Sequence, residues 1–157
     1  MSGAPVSRTI FDDIVDGIAP SWKVWEDDAY VAFLTPFPST PGLTIVIPKK
    51  NPGDYMFDLN IKEAHSLIDA ATKVAKILEK AFGVSKVAMV FEGEGVPHVH
   101  AKLYPLHGLE NGVPHVTYTT FYPQYPGFIN TGNGPRLSDQ ELTDLQEKIR
   151  KAADNEN

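Results

Sequence analysis

The stretch from residue 61 to residue 82 does most to limit the folds open to this chain. Ala64, Leu67, Ile68, Ala71, Val74, Ala75, Leu78 and Phe82 recur there at helical spacing, which predicts one long helix with a single buried face. Asn60 stands where it can cap the first turn, with Glu63 three residues later as in a capping box. Gly83 suits the C-terminal cap. Such a helix needs a surface to pack on, and the segments around it read as strands. Residues 23–26 and 30–34 flank Asp27 and Asp28, a hairpin signal. Pro36, Pro38, Pro41 and Gly42 then break the chain, since proline supplies no ladder donor. Residues 43–47 form a continuous apolar run, as expected for a central strand. Residues 86–91 and 96–105 supply two more strands. A short helical piece spans 9–15, ending near Gly17. Ser138 and Glu141 form a second capping box, opening a last helix with a stripe of Leu142, Leu145, Ile149 and Ala152. Residues 116–135, rich in Tyr, Phe, Pro and Gly, show no period. The expectation is an α+β fold: an antiparallel sheet, one long packed helix, and short helices near each end.

Composition bounds the rest. At 157 residues the chain fits one domain, with a core over about 9–136 and a C-terminal helix over about 138–153. A net charge of −6 argues against a general nucleic-acid coat, which needs a basic surface to neutralise phosphates. With no cysteine there is no disulfide framework and no thiolate metal site. Residues 1–8 lack the apolar core of a signal peptide, and no run approaches the roughly 18 apolar residues of a membrane span. The expectation is a soluble cytoplasmic protein.

The chemistry concentrates in residues 96–105. His98, His100 and Lys102 recur at every second position of a strand-like run, so they should share one face while Val99, Ala101 and Leu103 take the other. Three polar groups on one face cannot be buried unpaired without a cost of roughly 1–3 kcal/mol each. They line either open water or a site. The preceding Glu92-Gly93-Glu94-Gly95 turn favours a site, because glycines let backbone N–H groups approach a ligand closely. Imidazole beside ammonium suits a phosphate. The alternative is a metal held by His98, His100 and Glu92 or Glu94, against which Lys102 would repel the cation. No metal and no other cofactor is expected.

In family terms, the chain resembles the histidine triad (HIT) superfamily of nucleotide hydrolases and transferases. The resemblance rests on Thr9-Ile10-Phe11, Pro20, Trp25-Glu26-Asp27-Asp28, Ala32-Phe33, Pro41-Gly42, Val46-Ile47-Pro48-Lys49-Lys50 and Val96-Pro97-His98-Val99-His100, in order and at approximate spacing. It implies a five-stranded antiparallel sheet with helices, a homodimer, and a small-molecule phosphate ligand, in most members a nucleotide. The family motif alternates three histidines with apolar residues, and its middle histidine corresponds to His100. By that resemblance His100 attacks the α-phosphorus of a nucleotide ester, anhydride or phosphoramidate, giving a nucleotidyl-histidine. His98 orients the site. Ile10, Phe11, Phe33, Leu34 and Pro36 enclose the base, and backbone donors around Gly93 to Val96 hold phosphate oxygens.

The departures are equally specific. Lys102 replaces the third histidine; it cannot accept a hydrogen bond but can stabilise phosphate charge. Asn51 stands where the family has a fourth histidine. Glu94 and Gly95 replace a glutamine–serine pair that binds phosphate. Thr35 replaces the acidic residue that grips the ribose hydroxyls, offering one hydroxyl in place of two acceptors. Outside this cluster, His65 reads as a surface residue of the long helix and His115 as a loop residue. His107 could lean back toward the site. Tyr118, Phe121, Tyr122, Tyr125 and Phe128 could rim the pocket, reach a dimer partner, or pack under a loop.

Overall fold

A computed structural model describes residues 7–112 and 136–154. His115 and the aromatic residues between 118 and 128 lie outside them. The elements run α1 (Ile10–Val15), β1 (Trp22–Glu26), β2 (Tyr30–Leu34), β3 (Thr44–Pro48), α2 (Ile61–Phe82), β4 (Val87–Glu92), β5 (His100–Pro105) and α3 (Asp139–Asp154). Five strands form one sheet in the order β1-β2-β3-β5-β4, and every neighbouring pair is antiparallel. The apolar run of β3 is central, as its sequence predicts.

Local chemistry explains the hairpin at β1–β2. Asp27 Oδ1 accepts from the amides of Ala29 and Tyr30 at 2.9 and 2.8 Å, so one carboxylate replaces the ladder through the turn. The expected capping boxes are formed. Asn60 Oδ1 accepts from Lys62 and Glu63 amides, and the Glu63 carboxylate accepts from the Asn60 amide. Ser138 and Glu141 exchange the same pair of bonds at α3. Gly83 closes α2 with φ +64°, the left-handed region that favours glycine. Asn60→Ala should therefore cost about 1 kcal/mol, read as a lower urea midpoint with an unchanged slope.

The sheet has two covered faces. On one, α2 and α3 pack over Val24, Ala32, Leu34, Val46, Val99, Ala101 and Leu103. Leu67, Leu78, Leu103, Leu142 and Ile149 are fully buried there, each contributing about 1.5–3 kcal/mol by transfer from water. On the other face, α1 brings Phe11 and Ile14 against Val31, Phe33, Ile45, Ile47 and Tyr104. The buried stripe of α2 is turned slightly from the expected one: Ala70 and Ile77 join the core, while Ile68 is half-exposed. None of the described helices is long and apolar enough to cross a membrane.

One boundary differs in a way that matters. The strand expected over 96–105 begins at His100. Pro97 has no amide to donate, and the Val99 amide leaves the sheet to donate to Gly53 O at 2.7 Å. His98 thus sits in the bend before β5. Even so, the expected division of faces holds. Val99, Ala101 and Leu103 enter the α2 side, while the rings of His98 and His100 both stand edge-on to Phe11, at 5.7 and 5.2 Å between centroids.

Candidate active site

A cavity of about 530 Å³ opens on the α1 side of the sheet, within the size range of small-molecule sites. Its walls are mostly apolar. Ile10, Phe11 and Ile14 come from α1, Trp22 from the start of β1, Phe33 and Leu34 from β2, and Pro20, Pro36 and Phe37 from the flanking loops. The polar end is built by Glu92, His100 and Lys102, with Thr35, Gly95 and Val96 also on the wall. Antiparallel register places these groups. Glu92 of β4 lies directly across from His100 of β5, and Lys102 follows two residues along, so all three share one face.

His100 is buried, with its ring fixed by a single bond. A carbonyl can only accept, so the 2.8 Å contact between Nδ1 and His98 O requires the proton on Nδ1. Nε2 then carries a lone pair toward the polar end. Glu92 Oε2 lies 3.8 Å from that nitrogen and 2.8 Å from Lys102 Nζ. His98 is fully buried and does not line the cavity. Its Nε2 donates to Pro48 O at 2.8 Å, and its Nδ1 has no partner among the described residues. His98 therefore bridges the end of β3 to the carbonyl that orients His100.

Burial pulls both histidines below their ordinary value near 6.5, overriding the backbone hydrogen bonds that raise them. His100 Nε2 accordingly stays unprotonated at and somewhat below neutral pH. The same shifts set a stability trend. Below pH 6.5 the unfolded chain takes up protons that the folded histidines refuse, so stability is complete above that pH and falls below it. Thermal melts between pH 5 and 8 should show Tm level above about pH 7 and declining beneath about 6.5.

The remaining expected residues divide clearly. Ile10, Phe11, Phe33, Leu34, Thr35, Pro36, Gly95, Val96, His100 and Lys102 line the cavity together. The Thr35 hydroxyl accepts from the Phe37 amide at 3.2 Å. Asn51 and Glu94 do not line it. Asn51 ties two loops, donating to Pro97 O and accepting from the Gly53 amide, both at 3.0 Å. The Glu94 carboxylate turns back to accept from the Gly93 amide at 3.3 Å. His107 does not lean toward the site either; it bonds Pro41 O at 2.9 Å and packs on Phe82. His65 is exposed. The metal alternative lacks geometry: among the described residues no three His, Asp or Glu side chains gather to hold an ion.

Glu92 is the polar residue that sequence reading undervalued, naming it only as a metal ligand. Ending the fourth strand at residue 91 left it in a turn. One more residue of alternation after Ala88 and Val90 puts it on the cavity face.

The HIT domain family matches residues 17–108. An uncharacterized HIT-like protein of Mycoplasma genitalium is 35% identical over 104 residues, 63% of this chain and 73% of that relative. A hypothetical histidine triad nucleotide-binding protein from Sulfolobus tokodaii superimposes with a TM-score of 0.70 at 21% identity, over 93% of this chain and 92% of the other, a likeness of fold. A HIT family hydrolase from Legionella pneumophila gives a TM-score of 0.55 at 27% identity, over 71% of this chain and 98% of its own. With its sheet, its long packed helix and more than half its length matched, the chain belongs to the HIT family.

Proposed function

We propose that this protein is a nucleotide phosphohydrolase or nucleotidyl transferase that acts at an α-phosphate through a covalent intermediate on His100. Family membership supports nucleotide-binding or hydrolase/transferase-type activity in general. The observation that carries the particular reaction is the fixed tautomer of His100, whose Nδ1–H is held by His98 O and whose Nε2 lone pair faces the cavity. In the first step Nε2 forms a bond to phosphorus, and the bond to the leaving group breaks with its electron pair on the leaving atom. The imidazolium that forms keeps its Nδ1–H bond to the His98 carbonyl. Water or another acceptor then attacks phosphorus and gives up its proton to solvent, while the P–N bond breaks and its electrons return to Nε2. The Lys102 ammonium stabilises charge on the phosphoryl oxygens through both steps. The apolar walls, with Ile10, Phe11, Phe33, Leu34 and Pro36, take the base.

A second reading, a non-catalytic nucleotide or sugar-phosphate binding protein, is favoured by one observation: a carboxylate stands 3.8 Å from the attacking nitrogen. A panel of nucleoside phosphoramidates, dinucleotides and sugar phosphates separates the two. Turnover of nucleoside compounds that disappears in His100→Ala supports the enzyme. Ligand affinity that survives His100→Ala, with no turnover by wild type, supports the binder. We further infer one HIT-like domain over the whole chain, acting in the cytoplasm as a homodimer. Among the described residues β4 is an edge strand of the sheet, and its outer edge offers a pairing surface.

A further inference from the structure

The polar end of the cavity carries balanced charge. Among its lining residues Lys102 is the cation and Glu92 the anion, paired at 2.8 Å, while burial keeps His100 neutral. The remaining lining residues are uncharged. Residues 113–135 contain no Lys, Arg, Asp or Glu, and His115 is their one titratable cation. A phosphorus poised for attack lies about 3–3.5 Å from the nucleophile. Its non-bridging oxygens then occupy the same shell around Nε2 as the Glu92 carboxylate, whose Oε2 is 3.8 Å away. Like charges that close, beside an apolar wall of low dielectric, repel far more than in water.

We propose that Glu92 is a charge selector: paired with Lys102 across from His100, it admits phosphoryl centres with one negative charge and rejects terminal phosphates with two. The inference rests on the phosphate reading of the site and names the residue that sets which charge state of phosphorus that site accepts. One ammonium offset by one carboxylate leaves no surplus positive charge for a dianion. A monoanion can engage Lys102 with its charged oxygen and turn its esterified oxygen toward Glu92.

The test compares matched ligands that differ by one charge: phenyl phosphate with methyl phenyl phosphate, and adenosine 5′-phosphate with its methyl ester. Binding is measured by calorimetry at pH 8, where the monoesters are dianions because their second pKa is about 6. Wild type should bind each diester at least about tenfold more tightly than its monoester, about 1.4 kcal/mol. Glu92→Gln should bring that ratio to about one or invert it, chiefly through tighter monoester binding. Glu92→Asp, which keeps the charge, should retain the preference. The same wild-type ratio in Glu92→Gln would overturn the proposal, as would a wild-type preference for the dianions. Because affinity is read apart from chemistry, with each diester recovered intact after the titration, the selector can fail while covalent labelling of His100 succeeds, or hold while labelling fails. Absence of binding by all four ligands to wild type and Glu92→Gln would overturn both readings.

Discussion

His100→Ala is expected to lower kcat/KM for a nucleotidyl substrate on the order of 10⁴-fold or more, the scale seen when a nucleophile is removed. The expectation follows from the position of the ring. Its Nδ1–H is committed to the His98 carbonyl, so Nε2 is the atom left for phosphorus. Neither neighbour can substitute. His98 is buried outside the cavity with its Nε2 committed to Pro48 O, and Lys102 is an ammonium paired with Glu92. The variant also removes a buried ring from the edge of Phe11 and leaves the His98 carbonyl without its donor. A stability loss of roughly 1–3 kcal/mol should accompany the lost activity. Melting curves taken beside the kinetics separate the two effects: a folded variant with no turnover places the loss at the chemical step.

Gly93→Ala is the second large effect, and it acts through backbone. A Cβ at residue 93 would run into the carbonyl of Asp54. No rotamer relieves that contact, since the obstacle is main chain. Nor can the facing loop drift away freely. Asn51 ties it to Pro97 O and to the Gly53 amide, and Gly53 O accepts from Val99 just before β5. Pushing the loops apart therefore disturbs the segment that presents His98 and His100. The expected cost is about 3 kcal/mol, seen by calorimetry as a Tm lower by about 10 °C. Gly95→Ala, where an added Cβ meets nothing within 4 Å, should leave Tm nearly unchanged. A similar fall in both variants would show that the segment's own flexibility matters, and not the approach to Asp54.

Periodicity and caps made α2 legible to its ends, because Asn60, Glu63 and Gly83 act locally and a 22-residue pattern averages out exceptions. The face of β5 was legible for the same reason: alternation fixes which side Ala101 and Leu103 take wherever the strand begins. What sequence could not supply was the tertiary pairing around the bend. Whether Val99 donates to a sheet neighbour or to Gly53 depends on a loop 46 residues earlier in the chain, and that choice shortens β5 and draws His98 into the interior. The assignments of Asn51 and Glu94 to the ligand site moved for a related cause. Both lie in loops, and each accepts from a backbone amide within two residues of itself. Glu92 entered the site through its cross-strand register with His100, a relation that becomes visible once β4 and β5 are paired.

Covalent labelling of His100 tests the central claim most directly. Wild-type protein is mixed with a nucleoside 5′-phosphoramidate and quenched within milliseconds in base, since P–N bonds to histidine hydrolyse in acid. Intact mass and peptide mapping should then show one nucleotidyl group on His100, formed and lost at rates compatible with turnover and absent from His100→Ala. Steady turnover with no adduct on His100, or an adduct carried by another residue, would contradict the account.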